Sequence, residues 1–356
     1  MKILHVIFSM NTGGAEILLV DILNEQVKTE NVHLIIINDT FNKNLVVNIN
    51  KNIKIHYVNR VAQSLNPIKI LKLNYLVLKI NADIIHCHNH NIAALLAFKL
   101  NKPLCLTIHC LSVPIKYLTR YTNLFSISNA VKQDILSRKG PSSIVIYNGI
   151  DFSKIKQKSS FEFVQKPFKI IHLSRLDYEI KGQDVLIKAI HYLINTLKVT
   201  DVIIDFVGEG PEAKLDHLIN LTASFKLNEV INFTGLKERS YVQQNLRSYD
   251  LLIQPSISEG FGLAIVEGIA AKVPVLVSDL DGPLEVIQFG DLGYSFKTAD
   301  YIDCAEKIKT IYLERNNEKF TENIDRVYEK ASVLYEIKTT SENYLLRYRY
   351  IMNKTE

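Results

Sequence analysis

Several features that would settle a protein's class at once are missing from this chain. No apolar run approaches the ~18 residues of a membrane span; stretches such as residues 92–98 stop well short. The four cysteines, Cys87, Cys105, Cys110 and Cys304, form no CxxC pair. That argues against a disulfide scaffold and a cysteine-based zinc site, and it fits a reducing cytoplasm. Residues 1–8 carry one lysine and an apolar run broken by His5, too short for a signal peptide and better read as a first strand. Internal repeats and low-complexity segments are absent. The basic residues, 32 of 42 of them lysine, gather into no dense run. A nucleic-acid binder needs a basic stripe interleaved with aromatics, and is the least favoured class.

What is present is a folded α/β pattern. Hydrophobic residues make up 47% and charged residues 22% of 356, too apolar for disorder. At ~150 residues per domain the length favours two domains. The net charge of +5 is uneven: residues 1–150 hold 16 Lys+Arg against 7 Asp+Glu, and residues 151–356 hold 26 against 30. A basic half joined to an acidic half suggests that one half meets an anionic partner.

Short β-branched runs alternate with helical stretches. Strands are expected at 2–8, 33–37, 54–58, 83–86, 104–108, 124–127 and 144–147. Helices are expected at 16–27, 68–80, 92–100 and 129–138. Polar residues 151–168 read as a linker. A second series follows, with strands at 169–174, 202–207, 230–233, 251–254 and 275–278. Its helices are 183–197, 212–225, 239–247 and 263–271, and the chain is mostly helical after 299. Continuous apolar strands mean burial on both faces, hence parallel sheets under helices. Two doubly wound domains fit better than a single (β/α)8 barrel, because of the linker and the strand count. In either fold, ligands bind at the carboxyl ends of strands.

Five such ends carry chemistry. After the first strand comes Asn11-Thr12-Gly13-Gly14-Ala15-Glu16. Its glycines allow close backbone approach and its new helix offers N–H groups to an anion, although a plain tight turn explains it equally well. It is not the GxGxxG of dinucleotide-binding domains, and the acidic ribose ligand is absent. His86, His88 and His90 flank Cys87; alternate strand residues point the same way, so a metal site is conceivable, but polar residues at a strand's mouth are the stronger reading. His109 ends the next strand. In the second half, Arg175 and Lys181 lie either side of a turn into a helix, an arrangement that opposes the helix dipole unless a phosphate sits between them. The strongest signal is the run from Pro255 to Glu267. There a buried strand gives way to a loop with Glu259, Gly260, Phe261 and Gly262, then to a helix with Leu263 and Glu267. Asp279-Leu280-Asp281 has the form of a DxD metal motif, a pattern common enough by chance to be discounted.

Taken in order, these pieces resemble the family-4 glycosyltransferases, retaining enzymes of the GT-B fold, over nearly the whole chain. The match includes Gly13-Gly14, the segments 83–88 and 107–109, Ser126 to Val131, Tyr147 to Asp151, Ser174 to Asp184, Phe206 to Pro211, and Phe233-Thr234-Gly235. It continues with Glu259 and Glu267, with seven residues between them as in the family's E-x7-E element, and ends with Pro274-Val275, Gly282 and Glu285. Lys272 stands where a glycine often precedes the Pro-Val strand, and the residues after Asp279 match loosely.

The resemblance implies two Rossmann-like domains facing a central cleft. Residues 1–157 would bind the acceptor and 168–337 the nucleotide sugar, with a last helix, about 338–356, packing back on the first domain. Arg175 and Lys181 would hold the donor diphosphate, with Gly14 offering a backbone N–H. Glu259 would bind the transferred sugar with the backbone of Phe261 and Gly262, and Glu267 the ribose. His109 would line the reacting centre, and Glu16 the acceptor side. Gly13, Leu263 and Gly208 complete the substrate-binding set. The donor is expected to be UDP-linked, with no cofactor and no metal, since two fixed cations serve the leaving group. The acceptor is a glycan or a lipid-linked sugar in cell-surface polysaccharide assembly. The alternatives are a GT-B epimerase of the UDP-sugar 2-epimerase type and a non-catalytic sugar-binding protein.

An anionic membrane surface is a candidate partner, for a cytoplasmic protein peripheral at the inner face. In 68–80, Lys69, Lys72 and Lys79 share one helical face, while Leu71, Tyr75 and Leu78 fall near another. A second stretch, 116–121, sets Lys116 and Arg120 at i, i+4 beside Tyr117 and Tyr121. An ordinary amphipathic helix over the sheet remains the competing explanation for 68–80.

Overall fold

The computed structural model describes residues 1–11, 13–97, 101–159 and 167–353. The chain divides into two compact units, Met1–Ile150 with Tyr335–Glu356, and Asp151–Leu334. The division falls at Ile150, seven residues before the boundary expected at 157, because residues 151–159 take their contacts within the second unit. Lys156 N–H donates to Gln243 O (2.8 Å), Lys158 N–H to Ala271 O (2.9 Å), and Lys158 Nζ pairs with Asp250. Residues 160–166 of the expected linker lie outside the described residues.

The first unit runs β1 (Lys2–Ile7), α1 (Gly14–Gln26), β2 (Asn31–Asn38), α2 (Lys43–Val47), β3 (Lys54–Arg60), α3 (Pro67–Ile80), β4 (Ile84–Cys87), β5 (Leu104–Ile108), β6 (Asn123–Ser126), α4 (Asn129–Ser137) and β7 (Ile144–Val145). The second runs β8 (Phe168–Leu173), α5 (Tyr178–Lys181), α6 (Gln183–Asn195), β9 (Val202–Val207), α7 (Glu212–Ser224), β10 (Ile231–Phe233), α8 (Arg239–Asn245), β11 (Leu251–Gln254), α9 (Leu263–Ala270), β12 (Val275–Ser278), α10 (Asp281–Val286), β13 (Tyr294–Phe296), α11 (Tyr301–Glu314) and α12 (Glu318–Leu334). The last helix, α13 (Ile337–Asn353), returns to the first unit and packs on α1; residues 354–356 lie outside the described set.

All strand pairs are parallel. Their orders are β3-β2-β1-β4-β5-β6-β7 and β10-β9-β8-β11-β12-β13. Two separate open sheets rule out the single barrel. Each order reverses at one place, between β1 and β4 and between β8 and β11; such switch points open a crevice at the strands' carboxyl ends.

Local chemistry explains the elements. The strands are buried on both faces: Ile3, Leu4, His5, Val6 and Ile7 are all buried. Helix α6 sets Leu186, Ile190 and Leu193 on one stripe against the β8, β9 and β11 side chains, in a core with Phe206 and Ile253. Helix α3 begins with Asn66, whose side chain accepts from Ile68 N–H (3.0 Å), and Pro67 in the first turn, and it ends at left-handed Asn81. Ser128 caps α4 through Val131 N–H (3.1 Å). The helix expected at 92–100 is a 3-10 turn over Ile92–Leu95, with residues 98–100 outside the described set. Helices α2, α5 and α10 and strand β13 were not expected; all are six residues or shorter, too brief for a periodic signal.

Candidate active site

In the second unit, Arg175 and Lys181 follow β8 and Glu259 follows β11, so the three straddle the switch point. Lys181 Nζ lies 2.5 Å from Glu259 Oε2, with side chains only 21% and 17% exposed. The sequence treated these as separate ligands; the structure makes them a pair. Two backbone bonds from Ile257 and Ser258 N–H to Ile180 O (2.8 and 3.2 Å) tie the two loops together. Gly182 sits between them at φ +66°, and a Cβ there would lie 1.8 Å from Pro255 O, so only glycine fits. Arg175 is 62% exposed, and its Nη2 donates to Asp177 Oδ2 (3.0 Å). Asp177 also pairs with Lys214, which reaches Glu179 as well (2.8 Å). The Lys214 hydrogen bond holds the Asp177 carboxyl below the usual carboxylate range.

Below the loop, His172 Nδ1 meets Ile253 O (2.9 Å) and its Nε2 meets Ser174 Oγ (2.7 Å), while Gln183 Nε2 donates to Ser174 Oγ and Arg175 O. Gly208 brings the loop after β9 against the loop after β8: an added Cβ would stand 1.9 Å from Ser174 O. Phe261 is buried, and Gly262 caps α9 with φ 93°. Leu263 opens α9, and Glu267, half-buried, lies one turn further along it. A helix start, two cations and two carboxylates at one strand-end cluster suit an anion joined to a polyol. Asp279 belongs elsewhere: its Oδ1 accepts from Thr298 N–H and Oγ1 (both 2.7 Å), a structural use of the DxD sequence.

In the first unit, Gly13 caps α1, Gly14 is its exposed first residue, and the Glu16 carboxylate folds over Gly13. Burial raises the Glu16 pKa. His109, at the end of β5, joins a cluster that spacing alone did not reveal. His5 of β1 is the missed member, set in a mid-strand position that looked like core. His86 and His88 stack at 4.6 Å between ring centroids, with His5 at 5.3 and 5.2 Å from them. His90 lies apart, its ring near Tyr117 (5.7 Å). Nitrogens of His5, His86 and His88 come close enough to hold a metal. Both His86 nitrogens are already engaged, however, Nδ1 with Tyr348 OH and Nε2 with Thr107 Oγ1 (2.8 Å). His5 Nδ1 and His88 Nε2, 2.9 Å apart, share a proton. This is a hydrogen-bond network. Burial keeps His5 and His109 neutral, with pKa values lowered to about 4.

The basic stretch at 116–121 forms a 3-10 turn, Ile115–Arg120, on which Lys116 and Arg120 are exposed; Arg120 Nη1 donates to Ala93 O (3.4 Å), and buried Tyr121 donates to His90 O (2.9 Å). Helix α3 has two faces. Leu73, Val77 and Ile80 face inward, while Ile68, Leu71, Tyr75 and Leu78 are each more than half exposed.

Known proteins match this architecture. The model of Glycosyltransferase Family 4 fits residues 12–154, and that of Glycosyl transferases group 1 fits residues 153–327. Both halves of the chain are glycosyltransferase domains. Among curated proteins, Staphylococcus aureus CapJ is 29% identical over 74% of this chain and 70% of its own. A Campylobacter jejuni N-acetylgalactosaminyltransferase, named for an N-acetylgalactosamine-diacetylbacillosaminyl-diphospho-undecaprenol acceptor, is 24% identical over 96% of this chain and 98% of its own. Among solved structures, a Rickettsia africae glycosyltransferase superposes with TM-score 0.82 at 20% identity over 99% and 98% of the two chains. Anabaena HepE, crystallised with UDP-glucose, gives 0.81 at 21% over 96% and 98%. The fold is GT-B. No helix among the described residues is long and apolar enough to cross a membrane.

Proposed function

We propose that this protein is a retaining glycosyltransferase. It moves a hexose or N-acetylhexosamine from a UDP-linked donor to a glycan or lipid-linked acceptor in cell-surface polysaccharide assembly. The observation that carries the reading is the cluster at the second switch point, where Arg175, Lys181 and Glu259 meet the start of α9. The names of CapJ and the Campylobacter enzyme, and the UDP-glucose in the HepE crystal, support the donor and acceptor classes.

The chemistry follows from charge. Breaking the anomeric C–O bond leaves positive charge on the sugar ring and negative charge on the departing diphosphate. Arg175 and Lys181 offset the latter as it grows, which is preorganised electrostatic catalysis. An ammonium has three donors, so Lys181 can keep Glu259 while reaching a phosphate. Glu259, with the backbone of Phe261, Gly262 and Leu263, holds the sugar, and Glu267 the ribose. Gly208 keeps the phosphate loop in place. The front-face route lets the leaving phosphate take the acceptor proton and calls for no metal. In the first unit, His109 serves the reacting sugar, Gly14 offers a backbone N–H to the diphosphate, Gly13 belongs to the substrate-binding set, and Glu16 serves the acceptor.

The same reading places the protein at the cytoplasmic face of a membrane. The outer stripe of α3 is apolar, carries Lys69, Lys72 and Lys79 and has no acidic residue, the composition of an anionic-lipid contact.

The test is a thermal-shift screen of nucleotides and nucleotide sugars on wild type and on the double variant Arg175→Ala, Lys181→Ala. A ligand at 100 times its Kd adds ~2.7 kcal/mol. Stabilisation by one nucleoside-diphosphate series, absent from the variant, is expected. No response to any nucleotide would overturn the donor assignment.

A further inference from the structure

The first unit holds a chain of side chains that leads from helix α1 to His109. Gln26 Oε1 lies 2.8 Å from His5 Nε2. His5 Nδ1 lies 2.9 Å from His88 Nε2, and His88 Nδ1 lies 3.2 Å from His109 Nε2. The four residues come from α1, β1, the end of β4 and the end of β5, so the chain crosses the switch point of this sheet. Gln26 and His5 are fully buried, and His88 nearly so.

A neutral imidazole carries one N–H and one lone pair, and this fixes the direction of every bond. The amide oxygen of Gln26 only accepts, so His5 donates from Nε2 and its Nδ1 is a bare acceptor. His88 must then donate from Nε2, which leaves its own Nδ1 bare. His109 must therefore donate from Nε2. At the far end, His109 Nδ1 is buried and has no hydrogen-bond partner among the described residues. A bare lone pair there costs less than an orphaned N–H, which favours this order at the far end; at the near end the Gln26 amide that sets the order keeps its Nε2 buried without a hydrogen-bond partner among the described residues.

We infer that Gln26, His5 and His88 are positioning residues that lock His109 as the Nε2–H tautomer, with Nδ1 kept as an open hydrogen-bond acceptor for a sugar hydroxyl. The use of that acceptor rests on the reading that places His109 at the reacting sugar; the tautomer itself does not. Burial keeps the rings neutral, which the scheme requires: His5 and His109 are lowered to about 4, and His88 well below its ordinary value. His86 lies against the chain without joining it, held by Tyr348 and Thr107. No carboxylate or lysine hydrogen-bonds to any ring of the chain among the described residues, so nothing supplies a charge that would reset the order.

The experiment is long-range 1H–15N correlation on unliganded protein with 15N-labelled histidine, near pH 7. His109 signals are identified by their loss in His109→Asn. The expected spectrum shows His109 protonated at Nε2 and bare at Nδ1. Gln26→Leu should let both tautomers of His109 appear. An Nδ1–H form of His109 in wild type overturns the inference, and so does an unchanged His109 tautomer in folded Gln26→Leu. The wild-type spectrum decides even if the leucine variant does not fold. Should no donor be turned over, the transferase reading fails while the spectrum still reports on the relay. With an active enzyme, Gln26→Leu should lower kcat about tenfold or more with KM for the donor little changed.

Discussion

Acid should unfold the first unit well before the second. Five imidazoles, His5, His33, His86, His88 and His109, are held neutral in the first unit chiefly by burial, and His172 is the one such group with a comparable setting in the second. A histidine with a lowered native pKa contributes stability that is whole above its unfolded value near 6.5. That stability is lost as pH falls, because the unfolded chain binds the proton and the native one refuses it. At pH 5.5 each refused proton costs about 1 kcal/mol, so the first unit loses roughly 5 kcal/mol relative to pH 7 and the second roughly 1. Against a total of about 5–15 kcal/mol that is a large share. The second unit is acid-sensitive lower down. The carboxyls of Asp177 and Asp279, held by Lys214 and Thr298, have lowered pKa values. Their contribution is intact above about pH 4 and fades below it.

The assay is hydrogen–deuterium pulse labelling at one common pH after incubation between pH 7.5 and 4. Peptides from β1, β4 and β5 should lose protection near pH 5, about one pH unit above those from β8 and β11. Coincident midpoints would refute the reasoning. So would a first unit whose strands stay protected at pH 4.5, since that would mean the cluster accepts protons without unfolding.

Three further outcomes follow from single contacts. Lys181→Ala should lower kcat/KM by ~10²–10³, the usual loss for one preorganised charge partner, and a loss under fivefold would remove Lys181 from the transition state. Gly182→Ala sets a Cβ 1.8 Å from Pro255 O at φ +66°; it should cost about 2–4 kcal/mol in urea unfolding, and a loss below ~1 kcal/mol would show that the loop yields. Leu71→Asp, on the exposed side of α3, should cut co-sedimentation with anionic vesicles at low salt while leaving Tm within about 2 °C; unchanged sedimentation would dismiss α3 as a lipid contact.

The legible parts of the molecule were those with local signals. Strands β5, β9, β11 and β12 fall at the residues expected from their apolar runs, because a strand buried on both faces advertises itself. The loops after β8 and β11 were legible too, because glycine and charge cluster there within a dozen residues. Even the departure at Lys272 has a local cause: it adopts φ +57°, the left-handed conformation that suits a glycine, and its ammonium pairs with Asp325 (2.7 Å). On α3 the sequence left two explanations open: Leu73 and Val77 cover the sheet, as an ordinary amphipathic helix does, while Leu71 and Tyr75 face out.

What spacing could not show is which side chains meet across the sheet. Lys181 and Glu259 are 78 residues apart, and His5 and His88 are 83 apart. Each looked explicable alone, the first pair as independent ligands, His5 as a blemish in a strand. Register brings them together: β1 pairs with β4 so that His5 stands opposite His86, which puts two imidazoles side by side in the core. An unpaired imidazole there would be costly, and the third ring and the Gln26 amide reduce the cost by hydrogen bonding. Once that network exists, its direction is no longer free. A glutamine on α1 then determines which nitrogen of His109 carries the proton, a dependence that lives wholly on the tertiary link of the chain from sequence to function.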